Sequence, residues 1–300
     1  MKRIQVRCVI WALALCGVFG AITGSRAQVL RRLTGQNVQP VFEGWERNAD
    51  GTFNLVFGYL NRNYEEQPEI PIGPANTIEP GGPDRDQPTY FYPRRQMFAF
   101  KVRVPADWGD KRLVWTLTLH GRTDKANGWL NPEYQLTEAV YAANRGGGSE
   151  SGADDNLPPT AEINGGAQRT IAQGESVSLT LFARDDGRPA PRLSPARPRA
   201  ATSIPSPNPT YAANTPQAQA IVRPSREGLS VTWIHYRGAG QVTFSPMSQL
   251  VKGGNVTTIA TFHEPGTHVI RAYADDGVYT TPVDVTVVVK PGAASSEAPR

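Results

Sequence analysis

Apolar and polar residues alternate with a period of two through most of this 300-residue chain, a pattern that predicts half-buried antiparallel strands rather than helices. Phe98, Phe100, Val102 and Val104 fall on one face of such a strand, with Ala99, Lys101 and Arg103 on the other. Leu113, Trp115, Leu117 and Leu119 alternate with Val114, Thr116 and Thr118 in the same way. Asn48-Ala49-Asp50-Gly51 reads as a hairpin turn between runs at Val41–Trp45 and Thr52–Leu60, with Gly51 free to take a positive φ. These runs place a first β-sandwich at residues 37–136. Residues 65–93 within it are rich in Pro, Gly and Asp and read as a long functional or mobile loop.

A second set of strands is predicted at Ala161–Ile163, Ser176–Ala183, Leu229–Tyr236, Gln241–Phe244, Val256–Phe262, His268–Ala274 and Val283–Val289. Seven short strands with turn signals between them fit a second sandwich over residues 157–290. Trp115 and Trp233 lie mid-strand and belong to the two cores. Between the sandwiches, residues 137–156 combine a short helical stretch near Leu136–Asn144 with a Gly/Ser linker. Residues 188–226 interrupt the second sandwich with Pro, Ala, Ser and six arginines but no acid, a composition that predicts a disordered insertion. The tail, 291–300, is expected to be loose. The fold class is therefore all-β: two antiparallel β-sandwiches joined by a Gly/Ser linker, the second Ig-like.

The first residues bear on compartment. Lys2, Arg3 and Arg7 precede an uncharged, largely apolar stretch from Cys8 to Ile22, and Ser25-Arg26-Ala27 supplies small residues where a signal peptidase cuts. Residues 1–27 are accordingly predicted to be a signal peptide, and the protein to be exported to the periplasm, the extracellular space or the cell surface. Cleavage would leave no membrane span. It would also remove four of the 31 basic residues and no acid, so that 27 basic residues face 27 acidic ones. The basic balance of the precursor then gives no ground for nucleic-acid binding. Cys8 and Cys16 leave with the same segment, and with them any disulfide, thiol nucleophile or Cys-ligated metal.

Three constellations carry chemistry. Ala183-Arg184-Asp185-Asp186-Gly187 and Ala274-Asp275-Asp276-Gly277 each close a strand, and in an Ig-like sandwich both turns would emerge at one end. Asp185, Asp186, Asp275 and Asp276 would then form a cluster suited to calcium, which takes several oxygens from flexible loops. Two other readings stand beside it. Asp-Asp-Gly is good turn chemistry by itself, and arginines of the insertion could neutralise the acids. No other cofactor is expected. Tyr90, Tyr92, Trp108 and Trp129 lie in or beside predicted turns, where rings either stack on sugars or close the end of a sandwich. His263 and His268 flank the turn Glu264–Thr267 and read as surface histidines, since two imidazoles without a third ligand make a poor zinc site. No Gly-x-Ser-x-Gly, His-Glu-x-x-His, P-loop or dinucleotide-binding fingerprint occurs.

The Pro-Pro-Thr-Ala opening near residue 158, Leu229-Ser230-Val231-Thr232-Trp233 followed by Tyr236–Gly240, and Glu264-Pro265-Gly266-Thr267-His268-Val269 running into Ala274–Gly277 resemble PKD-type and related Ig-like repeats of bacterial surface proteins. The resemblance covers residues 157–290 apart from the insertion, and it implies a binding or spacing module. Gly81–Arg85 and Pro93-Arg94-Arg95 resemble a segment of uncharacterised bacterial exported proteins, a likeness that implies no activity. The expectation is an exported, non-catalytic interaction or spacer protein with a protein or polysaccharide partner. A carbohydrate-binding protein acting through the N-terminal aromatics is the alternative, and a hydrolase with an unrecognised acid pair is the second.

Overall fold

The computed structural model describes residues 32–144, 156–191 and 228–292. The segments read as signal peptide, as Gly/Ser linker (145–155), as most of the insertion (192–227) and as the tail from 293 lie outside the described residues.

The N-terminal part pairs two three-stranded sheets. One has the order β1-β2-β4, from β1 (Val38–Arg47), β2 (Phe53–Asn61) and β4 (Arg94–Val104), all antiparallel. The other has the order β3-β5-β6, from β3 (Asn76–Glu79), β5 (Leu113–Leu119) and β6 (Arg122–Gly128). The Asn48–Gly51 turn forms as expected, with Gly51 at φ +84° and its N–H donating to the Asn48 carbonyl. Phe57 stacks on Phe100 at 5.5 Å, and Trp115 meets both edge-on from the opposite sheet. That packing makes the core.

Two sequence expectations change here. Phe98 does not share a face with Phe100, Val102 and Val104. A register shift opposite Phe57–Tyr59 puts Phe98 at φ +52° and sends its ring to Tyr141, 4.7 Å away. The stretch 65–93 is not a free loop either. It contributes β3, and buried Asn76 ties it down, donating to the carbonyls of Ile70 and Pro88 while accepting from the Trp115 indole at 3.0 Å. Side-chain amides here do the work that an apolar pattern would have advertised.

The described residues of the C-terminal part form nine strands. A four-stranded sheet runs β11-β13-β9-β7, from β7 (Thr160–Ile163), β9 (Ser176–Arg184), β11 (Val242–Ser245) and β13 (Asn255–Phe262). A five-stranded sheet runs β12-β10-β14-β15-β8, from β8 (Gln168–Ala172), β10 (Ser230–Arg237), β12 (Ser248–Leu250), β14 (Gly266–Asp275) and β15 (Thr280–Lys290). β8 pairs parallel with β15 and every other pairing is antiparallel. The first strands, β7 and β8, thus split between the two sheets, an Ig-like arrangement. Trp233, Leu179, Leu181, Ile270 and Val285 fill the space between the sheets and are fully buried.

The two sandwiches meet directly. Ile234, Tyr236 and Tyr273 of the C-terminal sandwich belong to the hydrophobic cluster of the N-terminal one. Helix α1 (Glu138–Asn144) lays Tyr141 and Ala142 into a second shared cluster with Val56, Phe98 and Val278. The outer edge of β4 is partly covered by this contact, where Tyr273 donates its hydroxyl proton to the Ala99 carbonyl at 3.0 Å; Arg85, from the same sandwich as β4, donates to the Arg103 carbonyl. No helix among the described residues is long and apolar enough to cross a membrane.

Candidate functional site

The two Asp-Asp-Gly turns follow β9 and β14, and their carboxylates are spent first on their own backbone. Asp185 accepts from the N–H of Gly187 and Asp186 from that of Arg188. Asp275 accepts from Gly277, and Asp276 from both Val278 and Tyr279. All four are therefore Asx-type turns, in which a carboxylate two residues upstream replaces a backbone acceptor. The turns do come together. Asp185 and Asp276 line one cleft of about 400 Å3 with Phe182, Pro189, Leu229 and Val251.

Asp276 is only 3% exposed, and burial raises its carboxyl to about 6 against the lowering effect of its backbone and Asn156 hydrogen bonds, with Asp185 adding repulsion. Burial also raises Asp185. Asn156, itself buried, donates to Asp276 Oδ2 at 3.1 Å, but its own Oδ1 and the Oδ1 of Asp185 have no hydrogen-bond partner among the described residues. Among the described residues no group of three or more His, Cys, Asp and Glu side chains is placed to hold a metal ion. Among the described residues, Asp185 and Asp276 line the cleft and Asn156 bonds to Asp276, so their side-chain oxygens lie closest to any cation bound there. Asn156 was not among the residues the sequence singled out, and its position just before Pro158-Pro159 was the one available signal.

The four aromatic candidates do not form a surface. Tyr90, Tyr92 and Trp108 are buried, so they cannot stack on a sugar. Tyr90 donates its hydroxyl proton to Gln67 Oε1, and its phenol is raised to about 12, chiefly by burial. The Tyr92 hydroxyl accepts from the His235 backbone N–H at 2.9 Å, across the contact between the sandwiches. Trp108 lies beside Lys111, whose Nζ is 5.7 Å from its ring. Turn positions expose aromatics only when nothing packs over them, and the second sandwich packs over Tyr90 and Tyr92. Trp129 alone stays accessible. It stacks on Phe42 at 5.5 Å and touches the exposed Tyr134 at 5.3 Å, with the Arg112 guanidinium 5.1 Å from its ring.

The histidines are arranged otherwise than expected. His263 is exposed, but His268 is fully buried and meets His235, not His263. Sequence spacing hides that pairing, because it joins neighbouring strands whose register depends on a bulge between His235 and Arg237.

No protein-family model and no curated protein matches the chain. Among solved structures, similarity reaches a conjugative transposon lipoprotein from Bacteroides eggerthii at 10% identity, over 43% of this chain and 97% of that one, with a TM-score of 0.24. Fibronectin(III)-like modules of Clostridium thermocellum CbhA give 11% identity over 88% and 100% of the two chains, at 0.24. Domains 4 and 5 of the S-layer protein SbsC give 10% over 85% and 98%, at 0.23. Likeness at this level says nothing of ligand or partner. The all-β, Ig-like class rests on the strand order itself.

Proposed function

We propose that this chain is an exported, non-catalytic interaction or spacer protein of the periplasm or cell surface. The observation that carries the reading is the sealed contact between the sandwiches. Arg271, 4% exposed, is bracketed by Asp284 of its own sandwich and Asp86 of the other, and Arg237 makes a two-pronged ion pair with Asp84. Such a contact holds two modules as one body, which a spacer or a presenting scaffold needs and a flexible tether does not. The acidic turns and the roots of the insertion, Pro191 and Gly228, sit together at the cleft and form the surface offered to a partner.

Retention of the purified chain on a panel of soluble and insoluble polysaccharides tests this against carbohydrate recognition. The spacer reading expects no saturable retention on any glycan. Carbohydrate recognition remains a second reading because Trp129, Tyr134 and Arg112 combine an accessible ring pair with a donor. It expects saturable retention that Trp129→Ala abolishes with unfolding unchanged.

A further inference from the structure

Two buried histidines from neighbouring strands touch where the sandwiches meet. His235 Nε2 on β10 lies 3.3 Å from His268 Nδ1 on β14, and neither residue is exposed. The backbone fixes where the protons sit. His235 Nε2 is 2.8 Å from the Arg237 carbonyl, and His268 Nε2 is 3.0 Å from the Glu264 carbonyl. A carbonyl only accepts, so each Nε2 carries the proton of a neutral ring. The bare Nδ1 of His268 then faces the Nε2–H of His235, while Nδ1 of His235 is buried with no hydrogen-bond partner among the described residues. The arrangement is complete only while both rings are neutral. A proton on His268 Nδ1 would aim two N–H groups at each other, and one on His235 Nδ1 would create a cation in a buried site, a cost that the backbone of Gly240 offsets only in part.

The same residues carry the contact with the N-terminal sandwich. The His235 N–H donates to the Tyr92 hydroxyl, and the Tyr90 ring lies 4.5 Å from the imidazole. The carbonyl of the next residue, Tyr236, accepts from the N–H groups of Thr89 at 3.1 Å and Tyr90 at 3.3 Å. We propose that the His235–His268 pair is an acid-sensitive latch, whose protonation loosens the contact between the two sandwiches while each keeps its own core.

The surroundings offer a new imidazolium little relief. Tyr90 and Tyr92 face it from the N-terminal sandwich as neutral phenols, and Phe262 packs on His268 at 4.9 Å. Glu264 presents its carbonyl, Glu69 accepts from the backbone of Gly240, and neither carboxylate bonds to a ring. Arg237 is turned away to Asp84, whose carboxyl that hydrogen bond lowers, so its charge is not aimed at the imidazoles. Burial, with the neighbouring His268, brings His235 down to about 3, and burial lowers His268 as well. An opened state with ordinary histidines binds more protons, so the latch holds fully above about pH 6.5 and weakens as pH falls toward 3.

Hydrogen exchange on the full-length chain, corrected for intrinsic rates, tests this between pH 7.5 and 4.5. Peptides covering residues 86–93 and 232–238 are expected to lose protection on the order of tenfold more than peptides from β2 and β15. His268→Gln, which keeps a donor for the Glu264 carbonyl but cannot titrate, is expected to hold that protection to lower pH. His235→Phe with His268→Leu removes both titrations and serves if the single variant misfolds; the difference between contact and core peptides should then vanish. Joint and core peptides opening together in the native chain would overturn the proposal. So would a non-titrating variant that loosens at the native pH.

Discussion

The guanidinium of Arg271 lies 3.5 Å over the ring of Tyr236, and both residues converge on Asp86 of the other sandwich. Arg271 donates to the Asp86 carboxylate at 3.0 Å, and the Tyr236 hydroxyl donates to the carbonyl of the same residue. Asp86 can meet both because its backbone takes φ +70°, a region that Asp tolerates better than most residues.

Removing Arg271 should therefore cost more than an ordinary surface ion pair. Arg271→Ala strips two carboxylates and an aromatic face of their shared cation, and we expect a loss of about 3 kcal/mol in urea unfolding. Arg271→Lys should recover less than half of it, because an ammonium cannot grip Asp284 at two oxygens while lying flat on Tyr236. A loss below about 1 kcal/mol would place the network among exposed pairs of little consequence.

Tyr92→Phe separates a structural role from a ligand-binding one. It leaves the buried His235 N–H without an acceptor, so stability should fall by about 1–3 kcal/mol. Retention on any glycan should be unchanged, since the ring is inaccessible. A variant of native stability that lost a glycan would reverse this assignment.

How much was legible is uneven, and Tyr92 shows why. Alternation located β5 nearly to the residue, because it buries one face on its own core; β10 and β14 were placed within two residues although both of their faces are covered. It missed β3, β6, β8 and β12. β6 reads Arg-Thr-Asp-Lys-Ala-Asn-Gly, with almost no apolar signal, and is made a strand by the His120-Gly121 turn, where both residues have positive φ. Tyr90 and Tyr92 looked like surface residues because the element that covers them arrives far later in the chain. The acidic turns were legible as turns; the amide of Asn156 beside them was not.

Asp276 gives a pH dependence of definite sign. Its folded value of about 6 lies above the unfolded 3.8, so its contribution is present in full below the unfolded value and is lost as pH rises through about 6. Asp276→Asn should leave stability at pH 4 little changed and raise it at pH 8 by about 2 kcal/mol. Denaturant midpoints at the two pH values decide it; equal shifts at both would mean that the carboxyl ionises as it does in water.

Calcium bears on the same end of the sandwich. Ions held by Asp185, Asp276 and the Asn156 amide would relieve the buried charge, and 10 mM calcium against a dissociation constant near 1 mM adds about 1.4 kcal/mol. Binding of that strength would raise the melting temperature by roughly 2–4 °C over a chelated sample. Superimposable melting curves would leave those carboxylates to turn formation alone.

The merged core also sets an order of events for a growing chain. Both sheets of the N-terminal sandwich can pair once β6 has been made, yet Asp86 waits 150 residues for Tyr236, and Ala99 waits 174 for Tyr273. Throughout that interval an apolar flank and an open strand edge have no cover, which is when a partly made chain aggregates. That flank gains its cover only when β14 is in place.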